Sequence, residues 1–229
     1  MHAAPLLHKP VALVVFLENV GHIAGLTLPN WVMQVIDYVT EEYAKLLLRV
    51  LGAYRRYDKV VILEDEDANG IALTNALLTT SQTHQVDVLL LAHGYIKQLV
   101  GFRNQTRVGD ETFAPLCDAY CQDNSLLDLR MVFGINCYGY SLTDTWRRLG
   151  ATVVNGSIGV NWFPEPTLSV FLFHWLRGLS YSEAVWRSNH AANRFWRHIW
   201  KPQRDGTPHE YLTSSRQVVV GGSDITIFS

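Results

Sequence analysis

Short runs of apolar, largely β-branched residues recur along this chain with longer helix-period stretches between them, and that alternation restricts the folds open to it. Residues 11–17 (VALVVFL), 59–63 (KVVIL), 86–91 (VDVLLL), 130–135 (RMVFGI) and 151–155 (ATVVN) are such runs. They lack the polar alternation of a half-exposed strand and read as strands buried on both faces, the habit of a parallel sheet covered by helices on both sides. Between the first two, residues 31–51 repeat apolar side chains at helical spacing and end at Gly52. A second helix is expected after Ala68, carrying Ile71, Leu73, Ala76 and Leu77. Right-handed crossovers turn this order into an α/β fold, a three-layer α/β/α sandwich with a mainly parallel sheet.

The remaining segments fit one domain over 1–229. Residues 95–115 hold Gly101, Gly109 and scattered polar groups, which predicts a loop or short hairpin outside the sheet. Helical patterns resume over 116–127, 142–149 and 167–177. Ser180 and Glu183 have capping-box spacing, with Leu179 and Ala184 as the staple, so a helix is expected from there toward Trp200. The tail from Lys201 offers 217–220 and 224–228 as edge strands. A hydrophobic content of 48% over 229 residues suffices for one large core. The net charge of −2 supplies no bulk drive toward nucleic acid or anionic lipid. No apolar run approaches the about 20 residues of a membrane-spanning helix, and the start MHAAPLLHKP lacks a signal-peptide pattern, so a cytoplasmic protein is expected. Cys117, Cys121 and Cys137 are an odd number without framework spacing, which leaves at least one thiol free.

Two strand ends deliver reactive side chains. LLLA runs into His93-Gly94, and MVFGIN runs into Cys137-Tyr138-Gly139. Parallel α/β sheets bind ligands at the carboxyl ends of their strands, so both groups are expected at one rim. Glycine beside each lets main-chain amides approach a bound group and serve as oxyanion donors. A thiol of ordinary pKa, about 8.5, becomes a useful nucleophile when a neighbouring base or a helix N-terminus assists it.

Together these segments resemble the caspase-like (clan CD) cysteine peptidases, which include caspases, metacaspases, legumain, gingipains, separase and the CHAT-domain proteases. The chain is most similar to the CHAT group. LLLAHG at 89–94 and VFGINCYG at 132–139 correspond to the two strand ends of that pattern. Downstream, Leu149-Gly150-Ala151, Asn155-Gly156-Ser157, Pro164-Glu165-Pro166-Thr167, Arg177-Gly178-Leu179-Ser180 and Glu183-Ala184-Val185 follow in its order. The resemblance implies a caspase-like fold over most of the chain, with the His-Gly half at about 11–95 and the Cys half at about 130–200. It implies a cysteine endopeptidase working through His93 and Cys137, with oxyanion donors at Gly94 and Cys137. Asn136, Tyr138, Asn161 and Glu165 become substrate-pocket candidates, Glu165 favouring Arg or Lys at P1. Ile135 stands where metacaspases carry Asp, no Gln-Ala precedes Cys137, and the short stretch from Cys137 to Ala151 leaves no room for an excisable caspase linker. Neither subgroup's specificity transfers. The expected partners are a protein or peptide substrate and an activating or regulatory protein, with neither nucleic acid nor membrane, and control is expected from a partner, a loop or the tail from Lys201.

Other features read as structural. Cys117 and Cys121 share a helix face, as do His190 and His198, but neither has a second ligand pair at metal-site spacing, so no metal or cofactor is expected. The acids at 64–67 read as a helix cap in preference to a cation pocket. Six of the seven tryptophans lie from Trp146 onward. Trp186, Phe195, Trp196 and Trp200 alternate with Arg187, Arg194, Arg197 and Lys201, read as a helix burying its rings and solvating its cations. Two rival functions stand beside the peptidase. One is a catalytically inactive interaction or regulatory module of the same fold. The other is a class I glutamine amidotransferase, against which Gly134-Ile135-Asn136-Cys137 carries one residue too many for that elbow.

Overall fold

A computed structural model describes residues 9–18 and 30–229, apart from the side chains of 30–40. Residues 1–8 and the apolar stripe over 31–39 therefore lie outside the described residues. The five strand segments predicted from sequence are all present. They are β1 (Val11–Glu18), β2 (Lys59–Leu63), β3 (Gln85–Ala92), β7 (Leu129–Gly134) and β8 (Val153–Ser157). Three short strands, β4 (Gly94–Tyr95), β5 (Gln98–Val100) and β6 (Arg107–Gly109), lie between β3 and β7. A final strand, β9 (Gln217–Gly221), comes from the tail.

The main sheet has the order β2-β1-β3-β7-β8-β9, parallel except for antiparallel β9 on the edge. Each central strand buries both faces. Val14 and Phe16 of β1 join Val88 and Leu90 of β3 on one side, under α3 (Gly70–Ser81), α4 (Asp110–Gln122) and α5 (Thr143–Arg148). Leu13, Val15 and Leu17 join Leu89, Leu91, Met131 and Phe133 on the other, under α1 (Asn30–Leu51), α6 (Thr167–Trp175) and α7 (Tyr181–Trp196). This is the three-layer sandwich that the continuous apolar runs predict. Gly52 ends α1 with φ 89, as a C-terminal glycine should, and leads into the short α2 (Ala53–Arg56).

Several expectations are corrected. The hairpin expected outside the main sheet is present but extends over residues 94–109 as a small antiparallel sheet of β4, β5 and β6. Helix α4 starts at Asp110, not near Leu116, with Asp110 and Glu111 in its first turn and Pro115 accommodated in its interior. The capping box at Ser180 does not form. Asp224, brought from the tail, accepts the Ser182 N–H (3.0 Å) and hydroxyl (2.6 Å) at the start of α7. Residues 224–228 are consequently no strand: Ile225 O accepts the Tyr181 N–H, and Thr226 O accepts from Arg130. Helix α7 ends at Trp196, short of His198, and leaves Trp186 and Phe195 exposed; it buries Tyr181, Ala184, Val185 and Ser188, with Trp196 half-buried against Phe163. The acids at 64–67 do not cap α3 directly. Asp65–Asp67 form a 3-10 turn, Glu64 pairs with Lys45, and Asn69 caps α3 by accepting the Ala72 N–H.

A buried polar chain crosses the core. Arg130 Nε lies 3.1 Å from Asp87 Oδ1, and Tyr57 Oη donates to Asp87 Oδ2 at 2.9 Å. Trp175 Nε1 donates to Tyr57 Oη, while Arg130 Nη1 and Nη2 donate to Ser229 O and Thr226 O. The pair therefore joins β3 and β7 to α6 and to the tail. Burial pushes the Asp87 carboxyl up to about 6, against the opposing pull of Arg130. Because its folded value lies above the unfolded one, Asp87 contributes most stability below about pH 4 and loses that contribution as pH rises through about 6. Denaturant titrations should show Arg130→Met losing about 3–5 kcal/mol, since it strands a buried carboxylate. Relative to Asp87→Asn, the wild type should lose ground between those pH values and then level off. A loss under about 1 kcal/mol for Arg130→Met would place the pair outside the set of interactions that hold the fold.

Candidate active site

The parallel register of β3 on β7 pairs Leu89 with Phe133 and Leu90 with Gly134, and the ladder extends as Ile135 N–H donates to Leu90 O at 3.1 Å. Neighbouring strands thus end together, with His93 and Cys137 just past their carboxyl ends. After His93 the chain turns into β4, and the His93 carbonyl accepts the Val100 N–H, which anchors the β4–β5 hairpin at this rim. A Cβ on Gly94 would stand 2.3 Å from the Cys137 carbonyl oxygen, so only glycine allows this approach of the two loops. A second tie joins them: Lys97 N–H donates to Ser141 Oγ at 2.6 Å, and Ser141 Oγ donates to Tyr138 O at 2.7 Å.

The turn holding Cys137 is built by its neighbours. Tyr138 is left-handed at φ 54, which for a non-glycine residue costs roughly 1–2 kcal/mol. Its N–H donates to Gly159 O at 2.7 Å, a contact that holds this conformation. Asn136 is buried at 1% exposure; its Nδ2 donates to Cys137 O, and its carbonyl accepts from Ser157 Oγ. It supports the turn from beneath instead of facing a substrate. Gly139 and Gly156 meet backbone to backbone, where a Cβ on Gly156 would stand 2.1 Å from Gly139 C.

Strand β8 pairs with β7 in register only at Met131–Val153 and Val132–Val154. Beyond that the buried Asn155 side chain replaces the ladder: Gly134 N–H donates to Oδ1 (3.0 Å) and Nδ2 donates to Gly134 O (3.1 Å). The inserted side chain separates the two strand ends, and the chain leaving β8 returns toward Cys137. Asn161 N–H donates to Cys137 Sγ at 3.3 Å, and Asn161 Nδ2 donates to Ile135 O. The main-chain amides of Asn161, Gly94 and Cys137 itself favour the thiolate. Burial pushes the Cys137 thiol up, and these amides only partly offset it, so the resting group at neutral pH is the thiol.

The loop carrying Asn161 is held by the tail. Gly159 N–H donates to Ser214 O, Ser214 Oγ donates to Val160 O, and Trp162 N–H donates to Ser215 Oγ. Trp162 stacks on Tyr211 with ring centroids 4.4 Å apart. Glu165, at the loop's far end, accepts from Tyr43 Oη (3.1 Å) and Ser169 Oγ (2.6 Å). It borders a narrow cleft with Tyr43, Leu91, Ile135, Pro164 and Leu168, next to both strand ends.

His93, Gly94, Cys137, Tyr138 and Asn161 therefore gather at one rim, with Glu165 in the adjoining cleft and Asn136 beneath. Sequence reasoning missed Glu18, a carboxylate at 4% exposure that ends β1 opposite Ala92 and accepts the Arg103 N–H at 2.8 Å. Its signal was an acid at the end of an otherwise apolar strand. Cys117 is buried and Cys121 exposed on α4; among the described residues no group of three His, Cys, Asp or Glu side chains could hold a metal ion, and no helix is long and apolar enough to cross a membrane.

No protein-family model matches the sequence, and no curated protein matches it. Among solved structures the chain is similar to the Arg-specific cysteine proteinase gingipain R, with a TM-score of 0.57 and 12% identity. The match covers 95% of this chain and 47% of that one, so the chain spans about half the length of that proteinase. At this identity the likeness is one of fold: the chain shares the α/β sandwich architecture of that structure.

Proposed function

We propose that the chain is a cysteine peptidase in which His93 and Cys137 form the catalytic dyad. The observation that carries this reading is the convergence of the two strand ends. His93-Gly94 and Cys137 follow adjacent parallel strands, and the Asn161 N–H donates to the Cys137 sulfur. The order of motifs shared with CHAT-domain proteases supports the same assignment, as does the fold shared with gingipain R.

In this mechanism the imidazole of His93 takes the proton of the Cys137 thiol as Sγ attacks the carbonyl carbon of a peptide bond. The carbonyl π electrons move to oxygen, and the Gly94 and Cys137 N–H groups hold the resulting oxyanion. Collapse of the tetrahedral intermediate breaks the C–N bond. The imidazolium gives its proton to the departing amine, leaving a thioester on Cys137. Water, deprotonated by His93, attacks the thioester; collapse breaks the C–S bond, the imidazolium proton returns to the sulfur, and the carboxylic acid product leaves and loses its own proton to solvent. The cleft beside the dyad, apolar along Leu91, Ile135 and Leu168 with the Glu165 carboxylate at its edge, suits a long basic P1 side chain, Arg or Lys. Asn161 and Tyr138, beside Cys137, are the further substrate-contacting candidates. Three free thiols suit a reducing compartment such as the cytoplasm.

A peptide library varied at P1 tests the assignment under reducing conditions. Cleavage should occur after Arg and Lys, Cys137→Ala and His93→Ala should abolish it, and Glu165→Gln should lower kcat/KM for basic P1 alone by about tenfold or more. Undiminished cleavage in either dyad variant would refute the dyad, and a folded wild type that cleaves nothing would favour a binding module. The burial of the thiol adds a pH signature. Alkylation of Cys137 by iodoacetamide should be slow at neutral pH and should still be rising beyond the range of an ordinary thiol. A plateau at or below neutral pH would instead mean a preformed thiolate–imidazolium pair.

A further inference from the structure

The amino edge of the sheet, opposite the candidate active site, carries a groove of about 400 Å³. Its floor is Leu51, Gly52 and Leu176, and three guanidinium groups surround it: Arg55 and Arg56 from α2 and Arg177 just after α6. No carboxylate lines the groove, and among the described residues none of the three arginines forms an ion pair. The chain as a whole carries a net charge of −2, so this clustering is local and not the by-product of a basic surface.

The arginines have structural duties that use only part of their capacity. Arg177 Nη1 donates to Phe173 O at 3.1 Å and its guanidinium lies over the Phe173 ring, which accounts for one of its five N–H donors. Arg56 lies 5.1 Å from the Phe228 ring centroid. The Arg55 side chain makes no hydrogen bond or ring contact among the described residues. Three helices, α1, α2 and α6, end at the groove, and the arginines also complement their carbonyl ends. A positive local field is felt nearby: the His174 imidazole is held below its ordinary value first by burial and then by Arg187 and Arg177.

We propose that this groove binds a soluble small anion carrying several phosphate groups. Guanidinium forks match phosphate oxygens in a two-point geometry, and three of them arriving from two chain segments can engage separate phosphates of one molecule. The volume falls within the usual range of small-molecule sites and exceeds what a lone phosphate ion fills. Gathering three like charges is unfavourable in an empty groove, and the bound anion removes that repulsion.

Isothermal titration with inorganic tripolyphosphate, at fixed ionic strength and with sodium sulfate as the comparison anion, tests the proposal directly. The wild type should bind one equivalent saturably and more tightly than sulfate. Arg55→Glu and the double variant Arg56→Gln/Arg177→Gln should each weaken binding by about tenfold or more. Arg55→Gln substitutes if the charge reversal unfolds the chain. Absence of saturable binding, or equal affinity in wild type and folded variants, would overturn the site.

Discussion

Parallel pairing of β3 with β7 is the constraint on which the rest of this molecule depends. Both strands are buried on both faces, so a slip of one residue would turn Leu89, Leu91, Met131 and Phe133 away from the α1–α6–α7 layer. The same register ends the two strands together and brings the residues that follow them, His93-Gly94 and Cys137, to one rim. Close contact is then a matter of glycine. Gly94 lets the first loop lie against the Cys137 carbonyl, and Gly139 and Gly156 let the turn after the thiol press against β8. The polar chain Asp87–Arg130 fastens the same two strands at their other end, so one strand pair carries the reactive groups at one edge and a buried ion pair toward the other.

Substituting a side chain for backbone at the end of β8 gives the site its opening. Asn155 supplies an amide that occupies both hydrogen-bonding groups of Gly134, and its Oδ1 also accepts from Tyr181 Oη. All of its bonds are made within the core, so the departure from regular pairing costs little. It frees the following loop to bend back and deliver the Asn161 N–H to Cys137 Sγ. The tail completes the arrangement twice over: residues 214 and 215 hold that loop, and Asp224 caps α7. A segment that looks peripheral in sequence thus supports the surroundings of Cys137.

Most of the fold, and the placement of His93 and Cys137 past neighbouring strand ends, were legible in the sequence because they rest on local patterns. Doubly buried strands leave unbroken apolar runs, and a reactive residue with glycine after such a run marks a strand end. What escaped depends on partners distant in sequence. Ser180 and Glu183 have the spacing of a capping box, yet a carboxylate from the tail outcompetes the local cap. Trp186 and Phe195 satisfy an aromatic count but fall on the outer face of α7. The short strands β4 to β6 span only two or three residues each, too few to leave a periodic trace. At the site, Asn161 was recognisable as a pocket position only through family resemblance. Its contact with the sulfur uses the main-chain N–H, which no side-chain motif encodes, and the burial of Asn136 follows from packing beneath a left-handed turn.

The central claim is that His93 and Cys137 act together on a carbonyl or its mimic. Intact-protein and peptide mass spectrometry after incubation with a P1-Arg peptidyl acyloxymethyl ketone measures this most directly, because such a probe alkylates a thiol assisted by a neighbouring base far faster than a bystander thiol. The account predicts a single adduct on Cys137 that is lost in a folded His93→Ala variant. Labelling of exposed Cys121 in preference to Cys137, or equal labelling of Cys137 without His93, would contradict it.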